Sequence, residues 1–250
     1  MTGALHRILN GHSLWVQAVA FTPDGMLLAS ASLDMTTRLW NAITGTVQRV
    51  LRGHSSRVKG VAISSDGQVL ASSSFDKTLS LWDPTSGFVH HILSGHASQV
   101  QEVAFSSDAQ FLASACEGDE VRLWATHTGE SLYCYSTHTV ISKQCLPSSL
   151  GSCWYLQLCK EIVKRQGPPP NIPTLVFNPP SGWFVNTQWV NWGEENVLAL
   201  PVDCWAHSAV SWGNRLAVGH VSRRVTLLGL NPELMPLSRW WSCFAGPEGR

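Results

Sequence analysis

The chain has no surplus of charge. Lys and Arg total 17, Asp and Glu total 17, and the formal net charge is zero. A protein that grips nucleic acid through bulk electrostatics carries a basic excess, so no nucleic-acid partner is expected. Charged residues make up only 14% of the sequence and hydrophobic ones 44%, which excludes disorder along the whole chain. Long apolar runs are missing too. Stretches such as Val197 to Val202 fall far short of a membrane span, so no membrane insertion is expected. His6 and Arg7 stand where a secretory leader needs an apolar core, which points to a cytoplasmic protein and leaves nuclear or peripheral organelle association open. Proline is nearly absent from the first half: only Pro23 and Pro84 precede residue 138, and the other eleven of thirteen follow it. Cysteine divides the same way, with Cys116 and Cys134 before that point and five after. The two halves are two regimes.

The residue patterns of catalysis are also missing. There is no Walker-type GxxxxGK[ST], no Gly-rich phosphate loop and no nucleophile elbow. Cys145, Cys153, Cys159, Cys204 and Cys243 form no CxxC pair and no zinc-ligand spacing, so seven free thiols are expected, with no metal and no cofactor. His90–His91 reads as a solvated pair on an outer strand. Glu194–Glu195 and the Glu117/Asp119/Glu120 group read as solvating charges on turns. Trp183, Trp189, Trp192, Trp205, Trp212, Trp240 and Trp241 read as core and packing residues before they read as stacking platforms.

What is present is a repeat. GHSLWVQAVAFTPDGMLLASASLDMTTRLWNAITG starts at Gly11, GHSSRVKGVAISSDGQVLASSSFDKTLSLWDPTSG at Gly53 and GHASQVQEVAFSSDAQFLASACEGDEVRLWATHTG at Gly95, a step of 42 residues without insertion. Each unit predicts four short strands. In the first, Val16 to Phe21 is apolar and β-branched and leads into a Pro-Asp-Gly turn at Pro23 to Gly25; Leu27 to Ser32, Thr36 to Trp40 and Thr46 to Leu51 follow. A lone four-stranded sheet cannot bury both faces, so such units must stack on one another as propeller blades.

The Gly-His pairs, the Asp six residues before Trp and the Leu-Trp-Asp at Leu81 to Asp83 resemble the WD40 family, over residues 1–137. The resemblance implies an all-β propeller. It divides this part into repeats 11–52, 53–94 and 95–136, with Gly3 to Leu9 as the outer strand of a blade whose other strands lie elsewhere. It also implies a buried hydrogen-bond chain in each blade, carried here by His12, Ser32, Asp34 and Trp40, then by His54, Ser74, Asp76 and Trp82. A His beside Asp and Ser matches a hydrolase triad as well. Triads do not come in arrays, so the structural reading is preferred and no catalytic residue is expected. In the third unit, counting back six from Trp124 reaches Gly118, with Asp119 one place late and Cys116 where Ser is expected. A weaker blade, with His96 lacking its carboxylate, is expected there; the alternative is a shifted turn that brings in Asp119.

In WD40 proteins partners touch three positions per blade on the top face. Here these are Trp15, Gln17 and Leu33, then Arg57, Lys59 and Phe75, then Gln99, Gln101 and Glu117. Aromatic and Arg anchors are what binding hot spots use, though Trp15 and Phe75 fit packing against neighbouring blades too. The implied role is a scaffold for other proteins or peptides.

Residues 138–230 read as degenerate blades around a Pro-rich loop at 166–173, and 231–250 as an irregular tail. Strand candidates are Thr139 to Cys145, Trp154 to Leu158, Trp183 to Val190, Asn196 to Leu200, Ser208 to Trp212, Arg215 to Gly219 and Val225 to Leu230. About five blades result, the last completed by the N-terminal strand. An open portion of a seven-blade array is the other arrangement, and its exposed edges would favour oligomers. The stretch Trp183 to Leu230 is similar to the C-terminal end of fungal NACHT–WD40 proteins of the NLR-like type, which implies a sensor's recognition module. An organelle adaptor of the WD40 class, as in mitochondrial fission, is a further implied role, and RNA binding the least favoured. Arg223 stands where those fungal proteins carry Gly, in a turn that suits positive φ.

Overall fold

The computed structural model describes residues 4–117, 120–136, 183–185, 189–192, 195–199, 206–212 and 215–229. Among these residues there is no helix. After β1 (Ala4–Asn10) come three four-stranded antiparallel sheets at the repeat spacing. The first holds β2 (Val16–Phe21), β3 (Leu27–Ser32), β4 (Thr36–Asn41) and β5 (Val47–Arg52). The second holds β6 (Val58–Ile63), β7 (Leu70–Ser74), β8 (Leu79–Trp82) and β9 (Val89–Leu93). The third holds β10 (Val100–Phe105), β11 (Phe111–Cys116), β12 (Glu120–Ala125) and β13 (Ser131–Ser136).

The second half contributes β14 (Trp183–Val185), β15 (Trp189–Trp192) and β16 (Glu195–Ala199) as one sheet. It also contributes β17 (Ala206–Trp212), β18 (Arg215–His220) and β19 (Arg224–Gly229), which β1 completes as the outer strand in the order β17-β18-β19-β1. Leu9 lies opposite Val225 and Ile8 opposite Thr226, across more than two hundred residues of chain. The stretch Trp183 to Val190 is not one strand but most of a hairpin, in which Val185 pairs with Val190 and Trp183 with Trp192. The polar residues 186–188 separate its two apolar runs. The expectations for Thr139 to Cys145, Trp154 to Leu158, the Pro-rich loop and the tail lie outside the described residues.

Local chemistry explains the turns. Thr22 Oγ1 donates to Asp24 Oδ1 at 2.5 Å, Asp24 accepts the Met26 N–H at 2.9 Å, and Gly25 takes φ +66°. Ser64, Asp66 and Gly67 repeat this turn in the second sheet. In the third the left-handed residue is Ala109, at φ +59°. At the other end of the sheets, Met35, Lys77 and Arg223 also have positive φ, so the strain anticipated at Arg223 is present.

The cores are seams between sheets. Leu9, Val16, Leu28, Trp40, Val225 and Leu227 join the closing sheet to the first. Leu39, Leu51, Val58, Leu70 and Trp82 join the first to the second, and Leu81, Leu93, Val100, Leu112 and Trp124 the second to the third. Each seam thus buries the repeated indole of the later sheet. Close approach there depends on Gly60: a Cβ at that position would lie 2.6 Å from Ser73 Oγ and 3.2 Å from the Gln101 carbonyl. Trp212 ties the closing sheet to the first by donating Nε1–H to the Pro23 carbonyl at 2.9 Å.

Candidate functional site

The His and Asp of each repeat meet as expected, but the hydroxyl between His and Trp is a different one. His12 Nδ1 lies 2.9 Å from Asp34 Oδ2, and its Nε2 lies 2.8 Å from Ser30 Oγ. Trp40 Nε1 donates to the same Ser30 Oγ at 2.7 Å. An ionised carboxylate only accepts, so Nδ1 carries the proton and Nε2 accepts from Ser30, which in turn accepts from the indole. His54, Asp76, Ser72 and Trp82 repeat this geometry. Ser32 and Ser74, assigned to these chains from sequence, do other work. They sit at their strand ends, where Ser32 Oγ binds the Leu14 carbonyl and the Asp34 N–H, and Ser74 Oγ the Ser56 carbonyl and the Asp76 N–H. Residues i and i+2 share one face of a strand, and only the inner one lies level with the indole.

Burial of Asp34 would raise its pKa. Hydrogen bonds from His12, Thr36 and the Ser13 N–H outweigh that and hold the carboxyl well below its usual range. Asp76 is held low in the same way. His12, Ser30 and their counterparts His54 and Ser72 are buried, and each hydroxyl is already committed to an indole. These residues have the members of a triad without a path for substrate.

The third blade is not missing its carboxylate. Ser114 bridges His96 Nε2 (2.6 Å) and Trp124 Nε1 (2.8 Å), and Glu120 Oε1 lies 3.0 Å from His96 Nδ1. Glu120 occupies the position of Thr36 and Thr78, and its longer side chain reaches back to where Asp34 and Asp76 stand in the sister blades. It is therefore not a solvating turn charge. The contact is close but poorly aligned, and Nδ1 makes no hydrogen bond. Arg122 also grips Glu120. Burial pulls the His96 pKa down to about 4; Glu120 opposes that and Arg122 adds to it. Asp119 lies outside the described residues.

The predicted partner-binding residues gather on one rim. The register of β2 against β3 shifts between Val16 and Ala18, of β6 against β7 between Val58 and Gly60, and of β10 against β11 between Val100 and Glu102. The bulged residues are Gln17, Lys59 and Gln101, and a bulge re-aims its side chain. Backbone bonds then fix the rest in pairs. Leu33 N–H donates to Trp15 O at 3.0 Å, Phe75 N–H to Arg57 O at 2.9 Å, and Glu117 N–H to Gln99 O at 2.9 Å. Trp15 is 45% exposed, Arg57 and Glu117 are exposed, and Leu33, Lys59, Phe75, Gln99 and Gln101 are half-buried.

Gln17 departs from expectation. It is only 8% exposed, and its Oε1 accepts from Lys59 Nζ at 2.7 Å, so it serves the blade interface. Burial pushes the Lys59 amine down from its usual pKa, partly offset by Glu102. At the opposite end a cavity of about 390 Å³ opens between the second and third sheets, bordered by Asp66, His90, His91 and His127.

The family model described as "WD domain, G-beta repeat" matches residues 3–41, 45–83 and 87–125. These matched residues of the first half are thus similar to WD40 repeats, and the four-stranded sheets they form are blades of a β-propeller. Solved structures of U3-55K (30% identity, TM-score 0.51) and of the RRP9 WD40 repeats (30% identity, TM-score 0.50) align over 52% and 51% of this chain, and over 41% and 40% of those chains. Short stretches are similar to Protein Mut11 of Chlamydomonas reinhardtii, 58% identical over 36 residues, which is 14% of this chain and 10% of that protein. Another resembles Nuclear distribution protein PAC1-2 of Uncinocarpus reesii (strain UAMH 1704), 51% identical over 41 residues, 16% of this chain and 9% of that protein. The matched stretches span a tenth or less of these relatives' lengths.

Proposed function

We propose that this chain is a non-catalytic interaction scaffold whose rim binds an extended peptide or protein loop in the cytoplasm. The observation that carries the reading is the repeated backbone pairing, which sets Trp15 beside Leu33 and Arg57 beside Phe75 on consecutive blades. A rigid framework thus presents an exposed indole and an exposed guanidinium, the anchor types of binding hot spots. The ligand that suits them pairs an apolar side chain for Trp15 and Leu33 with a carboxylate for Arg57. Glu117 on the third blade disfavours a second acidic group there. A recognition module of the fungal NLR-like kind would use the same rim.

Affinity capture with the full chain and with Trp15→Ala/Arg57→Glu tests this. The wild type is expected to retain specific partners that the double variant loses at an unchanged melting temperature. An identical partner set from both proteins would rule out the rim.

A further inference from the structure

The third blade differs from its sisters at three positions around its buried histidine; two of the differences exchange poor metal ligands for good ones, and the third removes the aspartate carboxylate. Where the first and second blades have Ser32 and Ser74, the third has Cys116; where they have Thr36 and Thr78, it has Glu120. The aspartate of the sister blades becomes Gly118. A ring nitrogen of His96, the Cys116 Sγ and a Glu120 carboxylate oxygen all lie within 4.8 Å of one another, and Nδ1 is 3.0 Å from Glu120 Oε1. Tetrahedral zinc with bonds of about 2.0–2.3 Å needs its ligand atoms roughly 3.3–3.8 Å apart. Small side-chain rotations span the difference.

A second observation points the same way. The His96 side chain is fully buried, and its Nδ1 lies 3.0 Å from Glu120 Oε1 without a well-formed hydrogen bond. In the sister blades the equivalent nitrogen meets an aspartate in a well-formed bond of 2.9 Å. Its other nitrogen is held by Ser114, the outer partner that orients a metal-bound imidazole, and Arg122 holds the Glu120 carboxylate likewise. Cys116 is buried, while Glu120 keeps 18% of its side chain open and supplies the entry path.

We propose that His96, Cys116 and Glu120 form a divalent-cation site, with Zn²⁺ as the ion and a water as fourth ligand. The set is mixed N, S and O, which suits a borderline-soft ion and excludes Mg²⁺ and Ca²⁺. Binding releases the Cys116 thiol proton to solvent, and the resulting thiolate and the Glu120 carboxylate neutralise the ion's two charges.

The probe is Co²⁺ added to the reduced, metal-free full chain without oxygen. One equivalent is expected to produce thiolate-to-cobalt charge-transfer absorption that Zn²⁺ abolishes stoichiometrically. Cys116→Ser should lose the band, and Glu120→Thr, the sister-blade residue, should weaken Co²⁺ binding at least about tenfold. Both residues are native to the equivalent sites of folded blades, and the circular dichroism melt of each variant confirms folding. The wild type alone is decisive if a variant fails: a folded wild-type chain with no charge-transfer band overturns the proposal. So does a band that survives Cys116→Ser.

Discussion

Replacing His54 with Ala removes the centre of the second blade's buried chain. The imidazole is bonded at 2.9 Å to Asp76 and at 2.8 Å to Ser72. Asp76 keeps three other donors, the Ser55 N–H, the Thr78 N–H and the Thr78 hydroxyl, so its charge is weakened rather than stranded. Losing one charge-assisted bond of four costs about 1.5–3 kcal/mol. Ser72 keeps the Trp82 indole as donor but loses the acceptor for its own hydrogen, about 1 kcal/mol more. The sum is about 3 kcal/mol. For a chain of this size that lowers the melting temperature by about 6–12 °C. Differential scanning calorimetry of wild type and His54→Ala, with the exposed His90→Ala as control, reads the shift directly. Ser72→Ala added to His54→Ala should cost much less than Ser72→Ala alone, because the shared bond is already gone. A His54→Ala melt indistinguishable from that of His90→Ala would refute the buried chain as a source of stability.

Other outcomes follow from particular residues. Ala109→Gly should raise stability by about 0.5–1 kcal/mol in denaturant titration, since Ala109 alone lacks the Gly that Gly25 and Gly67 supply to the same turn. Gly60→Val should destabilise by about 1–3 kcal/mol in the same assay, through the clash with Ser73 and the Gln101 backbone. Asp34 and Asp76 have folded pKa values below the unfolded carboxylate value near 4. Their stabilisation is therefore complete above that value and lost as the pH falls through it toward the folded values. Stability measured from pH 7 to 5 should show no slope from them, and Asp76→Asn should flatten the decline below about pH 4.

Much of the architecture could be read from the repeat, because a period of 42 residues fixes strand, turn and indole together. The errors arose where neighbouring positions are equivalent in sequence but not in depth. Ser30 and Ser32 lie on the same face of β3, and nothing in a strand's alternation tells which is level with Trp40. In the third blade the spacing rule looked for an aspartate six residues before Trp124 and found Gly118, while a longer acid two positions on reached the same imidazole. The lost motif had been replaced by a change of side-chain length, which a position-by-position comparison misses. Gln17, read from sequence as a rim residue, is buried and accepts from Lys59, a contact between two blades that the repeat pattern of one blade does not display.

The most direct measurement is amide hydrogen exchange across Arg224–Gly229, in the full chain and in a variant lacking residues 1–10. If sheets complete one another around the propeller, removing β1 strips β19 of its outer partner and takes Leu9 from the seam shared with Trp40 and Val16. Protection should then fall in β19 and in β2 together, with the β6–β9 sheet much less affected. Unchanged protection at Arg224–Gly229 would contradict the closure of the last blade by the N-terminal strand.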